Sequence, residues 1–360
     1  MSPVATPEPT SGKKMYRIVH ELGVGSYSTV WPAKDLEKDR FVALKLIIAS
    51  ASLETPETCI LRHLAASNSS HPGRCYVANL LEDFKIQGPN GTHRCLVTEV
   101  GPSLSKIKLE PSGNKLPVPI AKRVASQCTQ ALAFIHSSGV ARGGCRYVDF
   151  HPGNILFTIP DFHSWTIEKV YKQFGKPYKE PVERVDGAPL TPAAPRYVVT
   201  PTNPLRLAKI VMKADYQSHR FWQMFVDVIT PKVDAWSLTC MMCEVLGNHK
   251  LLESFFAERG EILVEMVRTF GKFPECWWKQ WDERSTFFEE DGAFKADSGD
   301  HTGEPRTVNL KERLKDIRRE DDEGHRELGT DLDALERVLE RLLKYEPEER
   351  ARIEDISLPF

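Results

Sequence analysis

Three short stretches of this 360-residue chain combine residue types and spacings that can do chemistry. The first is Leu22-Gly23-Val24-Gly25-Ser26-Tyr27-Ser28-Thr29-Val30, set between two runs of strand character. Glycines in such a turn carry no Cβ, so backbone N–H groups can approach a phosphate closely. Alone, the same turn is also what a plain hairpin needs. The second stretch is Phe41-Val42-Ala43-Leu44-Lys45-Leu46-Ile47-Ile48, in which one lysine stands in an apolar run. Burying an unpaired ammonium is expensive, so Lys45 requires an anion. Glu57 and Glu54 are the carboxylates within reach of a following helix. The third is Val148-Asp149-Phe150-His151-Pro152-Gly153-Asn154-Ile155-Leu156, where a carboxylate and a carboxamide stand five residues apart. Its plainer reading is a polar loop between a helix and a strand.

These residues need elements to position them. Short β-type runs extend from Tyr16 to Ile48, a helix is expected at about 56–66, and Pro89-Asn90-Gly91 marks a hairpin turn. Cys95-Leu96-Val97-Thr98-Glu99-Val100 reads as a strand running into a break at Gly101-Pro102-Ser103. Beyond that break the pattern is helical. Ile120, Val124, Cys128, Leu132 and Ile135 fall at steps of three and four, with Gly139 as a stop. Residues 233–246 are apolar all round and predict a buried helix. Thr330-Asp331-Leu332-Asp333 predicts the start of another, carrying Leu335, Val338, Leu339, Leu342 and Leu343. The stretch 282–327 is charge-rich and predicts loops plus one exposed helix, with Glu320-Asp321-Asp322-Glu323 offset by the preceding basic residues. Residues 1–13 are rich in Pro, Ser and Thr and are expected to be a disordered tail.

Composition narrows the classes. Hydrophobic residues make up 41% of the chain, enough for a substantial core, and the net charge of -2 gives no bulk attraction to nucleic acid or membrane. Eight cysteines at irregular spacing, a start without a signal-peptide core and the lack of a long apolar run predict a reduced, soluble, intracellular protein. Cys240-Met-Met-Cys243 lies in an apolar helical stretch with no second pair, which predicts packing cysteines rather than a zinc site.

The three stretches together resemble the eukaryotic protein kinases. Val42-Ala43-Leu44-Lys45 is similar to the V-A-I-K strand, and Asp149 and Asn154 match the interval of H-R-D-L-x-x-x-N. Tyr147 stands at the usual histidine position, His151 where lysine is usual, and residues 141–146 look longer than this loop normally allows. Asp-x-His-x-x-Asn is also the loop of small-molecule kinases resembling aminoglycoside phosphotransferases. Val233-Asp234-Ala235-Trp236-Ser237-Leu238 and Tyr345-Glu346-Pro347-Glu348-Glu349-Arg350 favour the protein-kinase branch, although Thr239 replaces a glycine. Gly25-Ser26-Tyr27-Ser28-Thr29-Val30-Trp31, His71-Pro72-Gly73 and Gly101-Pro102-Ser103-Leu104 are similar to the SR-protein kinases, and 184–199 to the spacer of their fungal relatives. The likeness covers about 15–200 and 233–360.

This resemblance implies an α+β, bilobal protein-kinase-like fold with a β-rich N-lobe over 14–100 and a mainly helical C-lobe over 101–360. It implies a serine/threonine kinase using ATP and Mg2+, with a protein substrate rich in Arg-Ser dipeptides. Lys45 and Glu57 would form the ion pair at the phosphates, and Asp149 would accept the substrate proton. Leu22, Gly23, Gly25, Ser26, Val30 and Ala43 would line the nucleotide pocket, with Thr98 at its back and Glu99 and Val100 at the hinge. Asn154 would hold metal, and Asp234 would brace the catalytic loop. Expected partners exclude nucleic acid and membrane; the expected state is a monomer in cytoplasm, nucleus or both.

One region departs from the pattern. Between Val199 and Val233 no Asp-Phe-Gly and no Ala-Pro-Glu occurs, and 200–232 reads as a degenerate or truncated activation region. Asp215 or Asp227 would have to replace the metal-binding aspartate, and Arg350 needs a new partner. Three readings stay open: a degenerate active kinase, a pseudokinase that binds ATP or protein as a scaffold, or a mis-spliced form of an ordinary kinase.

Overall fold

The structure, a computed structural model, describes residues 16–52, 56–106, 116–140, 147–148, 152–159, 161–191, 194–203, 206, 221–223, 226–227, 231–247, 250–252, 259–295, 309–315 and 322–360. The alternating and apolar runs at the start form six antiparallel strands: β1 (Tyr16–Ile18), β2 (Gly23–Val24), β3 (Ser28–Asp35), β4 (Arg40–Ile47), β5 (Glu82–Gly88) and β6 (Gly91–Thr98). They pair in the order β1-β3-β4-β6-β5, with β2 on β3. β4 is central and covered on both faces, which is why its sequence is a continuous apolar run rather than an alternating one. Val42, Leu44 and Leu46 pack with Trp31, Cys95 and Val97, whereas Phe41 and Ala43 face the opposite way. The β5–β6 hairpin turns at the expected place, with Gly91 at φ +119.

The remainder is mainly helical, so the α+β, two-lobed arrangement expected from the sequence is the one observed. α1 (Pro56–Ala66) buries Leu61 toward the sheet side with Ile47 and Leu96, and Ile60 and Leu64 toward the helical core. α2 (Val118–Ser137) buries all five residues of its predicted stripe against α4 (Pro231–Leu246), another predicted helix. Between them, α3 (Ile167–Phe174) belongs to an insertion that leaves the helical part after Phe157. α5 (Arg259–Phe270) and α6 (Asp322–Leu342) complete the larger helices. The Cys240-Cys243 pair sits in α4 without a disulfide, and burial pushes the Cys240 thiol up to about 12. No described helix is long and apolar enough to cross a membrane.

Two expectations need correction. The predicted N-cap at Thr330 is not a helix start, because α6 begins at Asp322 and runs through it. Leu328 is fully buried, so the apolar stripe of Leu332 and Leu335 extends back to it and outweighs the local capping signal. The charge-rich 282–327 stretch holds, among the described residues, helical turns at Arg284–Phe287 and Leu310–Lys315 and the start of α6 rather than one helix, and Leu310 and Leu314 are buried.

The insertion ties back to the sheet at Thr202. Its N–H donates to Glu21 O at 3.0 Å, and its hydroxyl lies 2.9 Å from that oxygen and 3.0 Å from His20 Nδ1. His20 Nδ1 also accepts from Glu21 N at 2.7 Å, so the arrangement uses the neutral imidazole as an acceptor. Burial holds the imidazole pKa below its ordinary value, with the nearby Glu21 carbonyl opposing. A depressed histidine pKa gives stability that is complete above the unfolded value of 6.5 and is lost as pH falls through the folded value. Urea midpoints are therefore expected to drop between neutral and mildly acidic pH, and His20→Asn, which keeps an acceptor without a titrating group, should flatten that drop. A second test concerns Gly73, where an added Cβ would stand 1.8 Å from the backbone oxygen of Gln130 on α2. Two backbones meet there, so Gly73→Ala should cost about 1–3 kcal/mol in equilibrium unfolding.

Candidate active site

Strand register assembles the site. Gly23 pairs with Val30, Val30 with Lys45, and Lys45 with Leu96, so one row of the sheet runs from the glycine turn to the strand before the hinge. Ala43 pairs with Thr98 two residues along. Residues at positions i and i+2 share a face, which puts Ala43 and Lys45 on the same side as Phe41. Lys45 is 7% exposed, and its Nζ donates to both Glu57 carboxylate oxygens at 3.0 Å. The burial that made Lys45 conspicuous in the sequence is thus compensated by α1. Glu57 is the partner; Glu54, the alternative, lies outside the described residues.

The glycine turn is closed by Gly25 N donating to Ser28 O at 2.8 Å. Neither Gly23 nor Gly25 has a positive φ, and a Cβ on Gly25 would meet its nearest atom, Ser28 O, at 3.6 Å. Nothing in the described fold itself requires glycine at 25. The absence of a side chain leaves room above the cleft, with Gly25, Ser26 and Tyr27 exposed. Ser28, standing where a third glycine is usual, sits on β3 with an ordinary φ, so its substitution costs no backbone strain. Thr98 is 1% exposed, with its hydroxyl donating to Glu99 O at 3.3 Å. Leu22 and Val100 are buried in the same apolar cluster as Ala43, with Val30 packed against it.

Below the cleft, Asn154 ends a 3-10 turn (Pro152–Asn154) and is 8% exposed. Asp149 and Asp215 lie outside the described residues. Four short strands are described here: β7 (Tyr147–Val148), β8 (Ile155–Phe157), β9 (Phe221–Gln223) and β10 (Val226–Asp227). β9 pairs with β8, Gln223 opposite Ile155, and β10 pairs with β7, Asp227 opposite Tyr147. The region 200–232, which matches no motif, therefore supplies two partner strands to β7 and β8. The aromatic and β-branched run Phe221-Trp222-Gln223-Met224-Phe225-Val226 was the sequence signal for them.

Two supporting residues gain partners that the sequence did not disclose. Asp234 is 1% exposed, and its Oδ2 lies 3.0 Å from His136 Nε2 on α2; Oδ1 has no partner among the described residues. Burial raises the Asp234 pKa, and the His136 contact opposes that rise. Arg350 donates to the carbonyls of Lys344 at 2.6 Å and Tyr345 at 2.9 Å, and its guanidinium lies 4.9 Å from the centre of the Trp236 ring. Thr239, in place of glycine, donates its hydroxyl to Ala235 O at 2.7 Å and is fully buried. Among the described residues no group of three or more His, Cys, Asp and Glu could hold a metal. The Asn154 carboxamide is a hard oxygen donor of the kind a divalent cation accepts alongside one carboxylate and phosphate oxygens, so it fits such an ion.

Comparison with known proteins agrees with this geometry. Residues 16–165 match the protein kinase domain. A serine/threonine protein kinase of Aspergillus fumigatus is 35% identical over 126 residues, covering 35% of this chain and 32% of that protein. SRSF protein kinase 3 of Mus musculus is 34% identical over 152 residues, 41% of this chain and 26% of its own length. Protein kinase dsk1 of Schizosaccharomyces pombe is 33% identical over 150 residues, 41% of this chain and 27% of its own. The kinase-domain match thus covers less than half of the chain, and the chain spans about a third or less of those relatives' lengths. A kinase domain implies ATP and a divalent metal in general. If the Gly25 turn is kept for a phosphorylated ligand, Gly25→Ala should leave the melting temperature nearly unchanged while weakening ATP binding about tenfold, as read by calorimetric titration.

Proposed function

We propose that this chain is an ATP-dependent protein serine/threonine kinase of the SR-protein kinase type, transferring the γ-phosphate of ATP to Ser or Thr hydroxyls of an Arg/Ser-rich protein. The observation that carries the reading is the buried Lys45–Glu57 pair beneath the glycine turn, within the segment that matches the kinase domain. Lys45 is assigned to the phosphate oxygens and Glu57 to holding it in place. Gly23, Gly25 and Ser26 cover the phosphates, Leu22, Val30 and Ala43 enclose the base, and Glu99 and Val100 offer hinge backbone groups to it. Thr98 closes the back of that pocket. Asp149 is assigned to orient the substrate hydroxyl and take its proton, and Asn154 would hold Mg2+. Bound Mg2+ would neutralise charge on the phosphates. The binding-only alternative is not favoured, because the relatives reported above are named as kinases. The reading further assigns a monomer acting in the cytoplasm or nucleus.

The test is magnesium-dependent phosphotransfer from labelled ATP to an Arg-Ser repeat peptide by the full chain. Lys45→Met and Asp149→Ala are each expected to lower the rate by at least about a hundredfold. Stabilisation by ATP with no transfer, or transfer that survives both substitutions, would sink the catalytic assignment.

A further inference from the structure

We propose that the insertion Ile159–Phe174 forms the outer wall of the nucleotide pocket, and that Phe162 sets how tightly the base is held. The inference rests on the nucleotide reading above and extends it to residues with no part in the motifs. Leu22, Ala43 and Val100, the apolar enclosure assigned to the base, share one packed cluster with Phe162, Trp165 and Phe174. The Phe162 ring lies 5.0 Å from that of Phe41, centre to centre, and Phe41 is two residues from Ala43 on the same face of β4. Trp165 lies 5.0 Å from Phe162, and Phe174 stacks on it at 5.8 Å. These rings form one continuous aromatic group that ends against Leu22, Ala43 and Val100, the residues assigned to the base.

The insertion is built to hold Phe162 there. Asp161 adopts a left-handed φ of +51 immediately before the 3-10 turn Phe162–Ser164, a conformation costly for a residue with a Cβ. Thr166 then caps α3 by accepting from Lys169 N at 3.2 Å, and Lys169 Nζ lies 4.5 Å from the centre of the Trp165 ring. Further on, Thr202, which lies beyond the insertion, bonds to Glu21, the residue next to Leu22. Phe162 and Thr202 therefore both meet the chain around the glycine turn from outside, Phe162 in the cluster that holds Leu22 and Thr202 at Glu21. An aromatic wall at that place adds apolar contact and keeps water from the base edge, so its removal weakens nucleotide binding and speeds release.

A merely structural role for the aromatic group would lower stability and leave affinity alone, which separates the two accounts. Phe162→Ala and the milder Phe162→Leu would be made in the full chain, with ADP and ATP affinities measured by calorimetric titration and melting temperatures recorded without nucleotide. Phe162→Ala is expected to weaken ADP binding about tenfold and Phe162→Leu by a smaller factor. Phe273→Leu, in a separate aromatic cluster, should lower the melting temperature at unchanged affinity. Folded Phe162 variants that bind ADP as the unaltered chain does would overturn the wall alone. Failure of the unaltered chain to bind ADP would overturn the nucleotide reading and the wall with it.

Discussion

Everything in the N-terminal half depends on the ion pair between Lys45 and Glu57. An ammonium in the middle of a strand covered on both faces is tolerable only if a carboxylate reaches it, and that carboxylate must come from a separate element. The requirement fixes where α1 lies against the sheet, and α1 in turn presents Leu61 to the sheet side and Ile60 and Leu64 to the helical core. One charge pair therefore sets the relation between the strand row that faces the cleft and the helices beneath it. Such a pair is poor value as a stabilising device, since well-packed apolar residues would serve as well or better. Its retention in the most buried strand is what gives the site its functional reading.

The insertion between β8 and the 200–232 region works on the same cleft from outside. It is held at one end by aromatic packing on Phe41 and at the other by the hydrogen bonds of Thr202 to the His20-Glu21 corner. The sheet face that a glycine turn and a strand pair would leave open is thereby lined by residues from a distant part of the chain.

What could be read in the sequence follows from how local each interaction is. The β4 run and Glu57 are twelve residues apart in a strand-then-helix order, so Lys45 and its partner were legible together. The stripe of α2 was legible because five apolar residues repeat at helical spacing. His136 was not, because its meeting with Asp234 spans 98 residues and depends on how α2 crosses α4. Phe162, Trp165 and Phe174 show the same limit: they meet Phe41, Leu22 and Ala43 only through a packing of distant segments that nothing local specifies. The false start at Thr330 shows the reverse, a good local signal overridden by burial of Leu328. Asp149 was assigned by its interval to Asn154 alone, and it lies outside the described residues.

Loss of recognisable motifs over 200–232 need not carry the helical part with it. The arginine and aspartate most exposed to that loss, Arg350 and Asp234, have partners within the helical part itself: two backbone carbonyls and the Trp236 face for one, His136 for the other. A buried charge left without a partner would destabilise the fold by several kcal/mol on the order-of-magnitude scale of broken buried pairs, and here that penalty is largely avoided. The Oδ1 atom of Asp234 is the exception, buried without a partner among the described residues. Residues 141–146 and 149–151 of the loop that the resemblance expects Asp234 to brace lie outside them. Arg350 and Asp234 are therefore held by contacts that do not pass through 200–232, although that region does pair with the strands at 147–148 and 155–157.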